Sequence, residues 1–156
     1  MATLTTRVQF TDIASRKIIT QITVINPLNN LRVDVTALWD TGATHSVITP
    51  QVVIDLDLKS IAKLTNSSMR GTSDDNKVYP TQFSLSHDLL IERVILAMED
   101  NHVPYGCGAM IGMDIIGLGD FSVCGKDGKI CMSFRYPSLH TIDYVQDPGL
   151  IILPRP

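Results

Sequence analysis

Apolar and polar residues alternate through much of the first forty positions. Ile18 to Ile25 is dense in branched side chains, and Leu31 to Trp39 sets Val33, Val35 and Ala37 on one face, the two-residue period of a half-buried strand. Asn26-Pro27-Leu28-Asn29-Asn30 between them has turn chemistry, so the pair predicts a hairpin that delivers Asp40. Val8 and Phe10 end a shorter segment upstream. Thr49-Pro50 supplies an N-cap and a proline at the first helical position, which predicts a short helix over Gln51 to Leu58. Two β-like arms, Leu64 to Arg70 and Lys77 to Leu85, then enclose Gly71 to Asn76, a polar stretch that reads as a mobile hairpin tip or as an ordinary solvated β-turn. Ile91 to Met98 reads as a strand and Glu99 to Gly106 as a loop. Ala109 to Gly117 is a buried run broken at Gly112, closing in a helical turn that Gly117 or Gly119 ends. Phe121 to Val123 and Ile130 to Phe134 predict a last hairpin around Asp127-Gly128. In the tail, Leu150-Ile151-Ile152-Leu153 is too apolar to hang free and is expected to dock on this chain or on a partner.

At 156 residues the chain suits one well-buried domain, and 44% hydrophobic content excludes a disordered one. No apolar run approaches the roughly 20 residues that span a bilayer, and Met1 to Thr20 lacks an export pattern, so a soluble, cytoplasmic protein is expected. A net charge of −3 without clustered Lys and Arg argues against nucleic acid or an anionic membrane surface as partner. The histidines are scattered singly and the three cysteines lack metal-site spacing, so neither a metal nor another cofactor is expected. The spacing of Gly106, Gly108 and Gly112 does not fit a dinucleotide loop. Cys124 and Cys131 fall opposite each other if Asp127-Gly128 turns, and two packed thiols are expected there rather than a disulfide. His45 and Ser46 are adjacent in an extended segment and point apart, which disfavours a serine nucleophile.

The chemistry concentrates in Ala37-Leu38-Trp39-Asp40-Thr41-Gly42-Ala43-Thr44-His45-Ser46-Val47-Ile48. A buried strand runs into Asp40, breaks at Gly42 and re-enters apolar structure at Val47, which sets one carboxylate at the mouth of a turn. The Thr41 and Gly42 amides and the Thr41 hydroxyl can hydrogen-bond it, as a catalytic acid or base requires. A plain turn in which Asp40 only satisfies loop amides uses the same residues.

Asp40-Thr41-Gly42-Ala43-Thr44 after a strand, with Met110-Ile111-Gly112-Met113-Asp114-Ile115-Ile116-Gly117 well downstream, resembles the retropepsin-like aspartic peptidases. The resemblance covers Ile18 to Phe134 and includes the order helix, then flap hairpin, between the two motifs. It implies a mainly β fold, a closed retropepsin-like acid-protease barrel with one or two short helices. One domain over 1–156 is implied, with its core at about 18–134 and the 135–156 tail a candidate for a dimer interface. Asp40, Thr41 and Gly42 become the catalytic residues. Ala43, Thr44, Ile111 and Gly112 become substrate-binding, together with Gly71, Thr72 and Ser73 in a flap. The family needs two Asp-Thr/Ser-Gly loops and this chain has one, so the resemblance implies a C2 homodimer acting on a peptide or protein, without cofactor or metal. A catalytically silent dimerisation or peptide-binding module is the alternative.

Three departures from the family pattern, and one contrast with pepsin-like enzymes, bear on the site. Trp39 replaces a small or aliphatic residue and is expected to crowd the dimer or the pocket behind the dyad. Thr44 and Met113 stand where retroviral members often pair an acid with an arginine, so both charges are lost together. Ala43 lacks the hydroxyl that pepsin-like enzymes place there, which implies work nearer neutral pH. Asp74 and Asp75 replace flap glycines.

Overall fold

The alternation from Ile18 to Trp39 becomes a hairpin in register from Ile18 opposite Trp39 to Ile25 opposite Arg32. The computed structural model describes residues 4–10, 17–68, 71–86, 89–104, 106–126, 129–139, 141, 143 and 145–146; for 4–10, 66–68, 71–74 and 126 only the backbone is described. In chain order the elements are β1 (Leu4–Phe10), β2 (Ile18–Ile25), β3 (Arg32–Trp39), β4 (Val47–Ile48) and α1 (Pro50–Asp55). There follow β5 (Ala62–Ser68), β6 (Gly71–Ser84), β7 (Leu90–Glu99), β8 (Ala109–Ile111), α2 (Met113–Ile116), β9 (Asp120–Lys126) and β10 (Lys129–Tyr136).

Strands β2, β3, β8, β4, β7 and β6 lie side by side in that order, and β6 returns to β2 through Thr23–Ser84, Val24–Phe83 and Ile25–Gln82. The result is a closed six-stranded barrel in a mainly β fold with two short helices, as expected. Among the described residues closure leaves the ring no free edge, and only β5 extends outward from β6. The barrel is filled by side chains such as Val24, Ile48, Phe83, Ile91 and Ile111, all fully buried. Asn26 is buried at the first turn, where its Nδ2 donates to the Leu56 carbonyl at 2.9 Å and so ties the hairpin to the end of α1.

A second sheet, ordered β1-β10-β9 and antiparallel throughout, packs on the barrel. Its contribution to the core is Met132 and Phe134, and Trp39 reaches out of the barrel to meet it. The pattern around Val8 and Phe10 gave a strand but no partner; the partner is β10, more than a hundred positions away, with Phe10 opposite Ile130.

Two boundaries differ from the expectation. The helix stops at Asp55 rather than Leu58, because Leu56 takes the cap and Asp57 enters the left-handed region at φ 48°. Leaving the helix there sends both Leu56 and Leu58 into the core. The hairpin tip is not Gly71 to Asn76: Ser68 pairs with Gly71, Ser67 with Thr72 and Asn66 with Ser73, so that stretch is strand. The Leu150–Leu153 segment lies outside the described residues.

At the far end of the second sheet, Asp120 faces Arg135 across β9 and β10. The Ser138 hydroxyl and the Leu139 amide donate to its carboxylate, Arg135 Nε donates at 2.8 Å, and the guanidinium pairs with it. Together, led by Ser138 and Leu139, these donors outweigh partial burial and hold the carboxyl well below the usual range. A carboxylate with a depressed folded-state pKa stabilises the fold at pH above its ordinary value of 3.8. That contribution is lost as pH falls through the lower, folded-state value. Chemical denaturation of the wild type below about pH 4 is expected to show a steeper loss of stability than the Asp120→Asn variant shows; parallel curves would contradict this.

Candidate active site

The strands that flank the Asp40 loop are not neighbours. The chain leaves β3 at Trp39 and re-enters as β4 at Val47, and β8 runs between the two, parallel to β3 and antiparallel to β4. Residues 40–46 therefore straddle the end of β8, where Ile111 and Gly112 stand. The Asp40 amide donates to the Ile111 carbonyl at 2.9 Å, which continues the β3–β8 ladder by one residue and fixes the backbone that carries the carboxylate.

Asp40 itself is half-buried, and Thr41 and Gly42 are exposed. Asp40 Oδ1 accepts the Gly42 amide at 2.8 Å, and its backbone carbonyl accepts the Ala43 amide at 3.2 Å. The turn thus holds one carboxylate oxygen; the other has no hydrogen-bond partner among the described residues. This is an acid kept in place by backbone and left with a free face.

Beneath the loop, Gly112 makes the approach possible. A Cβ there would sit 2.6 Å from the carbonyl carbon and oxygen of His45 and 2.9 Å from the Ala43 oxygen, all backbone atoms with no rotamer to yield. Gly112→Ala is expected to cost about 1–3 kcal/mol of stability through overpacking. Displacing the loop should also lower any Asp40-dependent turnover on the order of 10²-fold. Urea denaturation with parallel activity assays checks both, and a variant matching the wild type in both would contradict the packing argument.

The segment after Gly112 is sewn to the loop. Met113 and Asp114 amides donate to the Ala43 and Thr44 carbonyls at 2.8 and 3.2 Å. Asp114 accepts the Ser46 amide at 2.8 Å and the Ser46 hydroxyl at 2.6 Å, and that same hydroxyl accepts the Gly112 amide at 3.0 Å. Ser46 is fully buried with every polar group engaged, a supporting part rather than a nucleophile. Sequence reasoning did not find the Ser46–Asp114 pair. The available signal was Asp114, one acid in an otherwise apolar run, which needs a hydrogen-bond partner where that run is buried. These bonds join the two segments that an acid at position 44 and an arginine at 113 would otherwise link, and they do so without an ion pair.

Trp39 turns inward rather than toward the surface. It is buried in the core, where its ring stacks on Phe121 at 5.6 Å and tilts against Phe134 at 5.4 Å, and its Nε1 donates to Thr20 Oγ1 at 2.9 Å. Alternation sends the ring inward as Asp40 leaves the strand, so the residue before the carboxylate anchors it to the second sheet.

Of the expected site residues, Asp40, Thr41, Gly42, Ala43 and Thr44 form one loop, and Ile111 and Gly112 lie against it. Both are buried: the Ile111 carbonyl accepts the Asp40 amide while its side chain fills the barrel, and Gly112 lies against the Ala43 and His45 backbone. Gly71, Thr72 and Ser73 are carried separately on β6, paired to β5.

Neither family models nor curated proteins yield a match to this sequence. Solved structures do. A retropepsin-like aspartic protease from Rickettsia conorii superposes with a TM-score of 0.56 at 13% identity, over 86% of this chain and 95% of that one. The retroviral protease-like domain of Ddi1 from Leishmania major aligns more loosely, with a TM-score of 0.41 at 15% identity over 67% of this chain and 79% of that one. The second likeness carries no weight here; the first concerns architecture. The barrel, the loop astride its inserted strand and the likeness to the Rickettsia structure together make the fold of this chain retropepsin-like.

Proposed function

We propose that this chain is an aspartic endopeptidase whose active site forms when two copies pair about a twofold axis and bring their Asp40 side chains together. The observation that carries the reading is the single Asp-Thr-Gly turn, with its amide held by Ile111 and one carboxylate oxygen held by Gly42. One such turn is half of what the chemistry needs. Two carboxyl groups within hydrogen-bonding distance share one proton, because ionising both sets like charges side by side.

The charged member takes a proton from a bound water as its oxygen attacks the scissile carbonyl carbon, and the protonated member gives its proton to the carbonyl oxygen. In the second step a carboxyl proton passes to the amine nitrogen, the C–N bond breaks as the carbonyl re-forms, and a hydroxyl of the tetrahedral intermediate gives its proton to the charged carboxylate, which returns the dyad to its one-proton state. No covalent enzyme intermediate forms. Thr41 links the two loops across the axis, and Gly42, Ala43 and Thr44 run beside the substrate backbone. Gly71, Thr72 and Ser73 belong to the hairpin that closes over it, as a strand below the tip rather than as the tip. Ile111 and Gly112 act by positioning the loop. The substrate class is a peptide or protein.

A mixed peptide library tests the proposal. Cleavage that a statine-type transition-state mimic blocks supports it, whereas a chain that binds peptides without cutting any is a silent module of the same fold.

A further inference from the structure

One face of the β9–β10 hairpin carries a ladder of matched side chains. Met132 and Phe134 turn into the core, so Cys131, Ser133 and Arg135 project from the opposite face of β10. Their register partners on β9 are Cys124, Ser122 and Asp120. Two of the three rungs are closed: Arg135 Nε donates to Asp120 at 2.8 Å, and the Ser122 and Ser133 hydroxyl oxygens lie 2.7 Å apart. Positions two apart in an antiparallel pair repeat the same kind of backbone pairing. The thiol rung therefore has the geometry that brings the two serine hydroxyls into contact.

Directly opposed residues hold their Cβ atoms about 4.5–5.5 Å apart, and a disulfide wants about 3.5–4.5 Å, so a bond needs a closure of only about 1 Å. Neither cysteine is in a disulfide; Cys124 is exposed and Cys131 half-buried. Cys107 lies between β7 and β8 and is not on this ladder.

We propose that Cys124 and Cys131 form a redox modification site, oxidised by peroxide to a disulfide within the hairpin and reopened by a thiol reductant. The exposed Cys124 thiolate attacks one peroxide oxygen; an S–O bond forms, the O–O bond breaks, and water leaves after proton uptake. The Cys131 thiolate then attacks the Cys124 sulfur, forming the S–S bond and breaking S–O, with a second water released. Two electrons pass from the sulfur pair to the peroxide. The bond fixes the hairpin whose other face, through Phe121 and Phe134, holds Trp39 beside Asp40. This inference does not depend on peptidase activity.

The test treats the full chain with hydrogen peroxide, counts thiols under denaturing conditions and maps the product with trypsin. Lys126 and Lys129 lie between the two cysteines, so cleavage separates them into different peptides unless a disulfide holds them together. Free thiols are expected to fall from three to one, with the Ile130–Arg135 peptide linked to the one containing Cys124. The link should survive Cys107→Ser, vanish in Cys124→Ser and open with dithiothreitol. Three surviving thiols, a link that persists in Cys124→Ser or is lost in Cys107→Ser, or a link found only in a species of doubled mass on non-reducing electrophoresis would overturn the proposal; the variant maps assign the sulfur because the Val94–Lys126 peptide carries both Cys107 and Cys124.

Discussion

Asp40→Asn is expected to reduce peptide hydrolysis on the order of 10⁴-fold, the upper end of what a positioned acid–base group contributes. Asparagine has nearly the same shape, and its side-chain oxygen can still accept the Gly42 amide that Asp40 accepts at 2.8 Å. The Asp40 amide keeps its bond to Ile111 because that bond is made by backbone. What disappears is the capacity to take a proton from water, and in a symmetric pair it disappears from both sides at once. Stability should change by no more than about 0.5 kcal/mol, as for a substitution that breaks no packing. Turnover measured beside a denaturation curve separates loss of chemistry from loss of fold. Substantial turnover in the folded variant would remove Asp40 from the mechanism.

Trp39→Ala should produce the largest loss of stability in this region, about 3–5 kcal/mol. Trp39 is only 5% exposed and is the contact through which the barrel grips Phe121 and Phe134 of the second sheet. Truncation empties that junction and strips the Thr20 hydroxyl of its donor. Trp39→Phe keeps a ring there and loses the Nε1 bond, so it should cost less, about 1 kcal/mol from the hydrogen bond alone. Activity should fall with stability in the alanine variant because the neighbouring residue is Asp40. Urea denaturation of both variants gives the ranking, and equal stability for the two would show that the stack contributes nothing.

The strands of the barrel were legible because their side chains alternate, and the Asp40 turn because Gly42 breaks an apolar strand. Periodicity names a face, not what covers it. It could send Trp39 inward but could not say that Phe121 and Phe134 were waiting, since their strands lie far along the chain. The same limit hid the pairing of β1 with β10 and the bonds from Ser46 to Asp114, 68 positions apart. The hairpin tip was misplaced for a different reason: Gly71-Thr72-Ser73-Asp74-Asp75-Asn76 has the composition of a turn. Cross-strand register settled the matter by pairing Gly71 with Ser68. The end of α1 turned on Asp57 entering the left-handed region, which an aspartate tolerates but does not announce.

The central claim is that each active site draws one acid from each of two chains, and a mixing experiment reads this directly. Wild type and Asp40→Asn are refolded together at varied ratios and constant total protein, so that subunits pair at random. If a site needs both copies of Asp40, activity follows the square of the wild-type fraction, and an equal mixture keeps one quarter of it. A linear fall, with half the activity left in the equal mixture, would mean that one chain carries a complete site and would contradict the account.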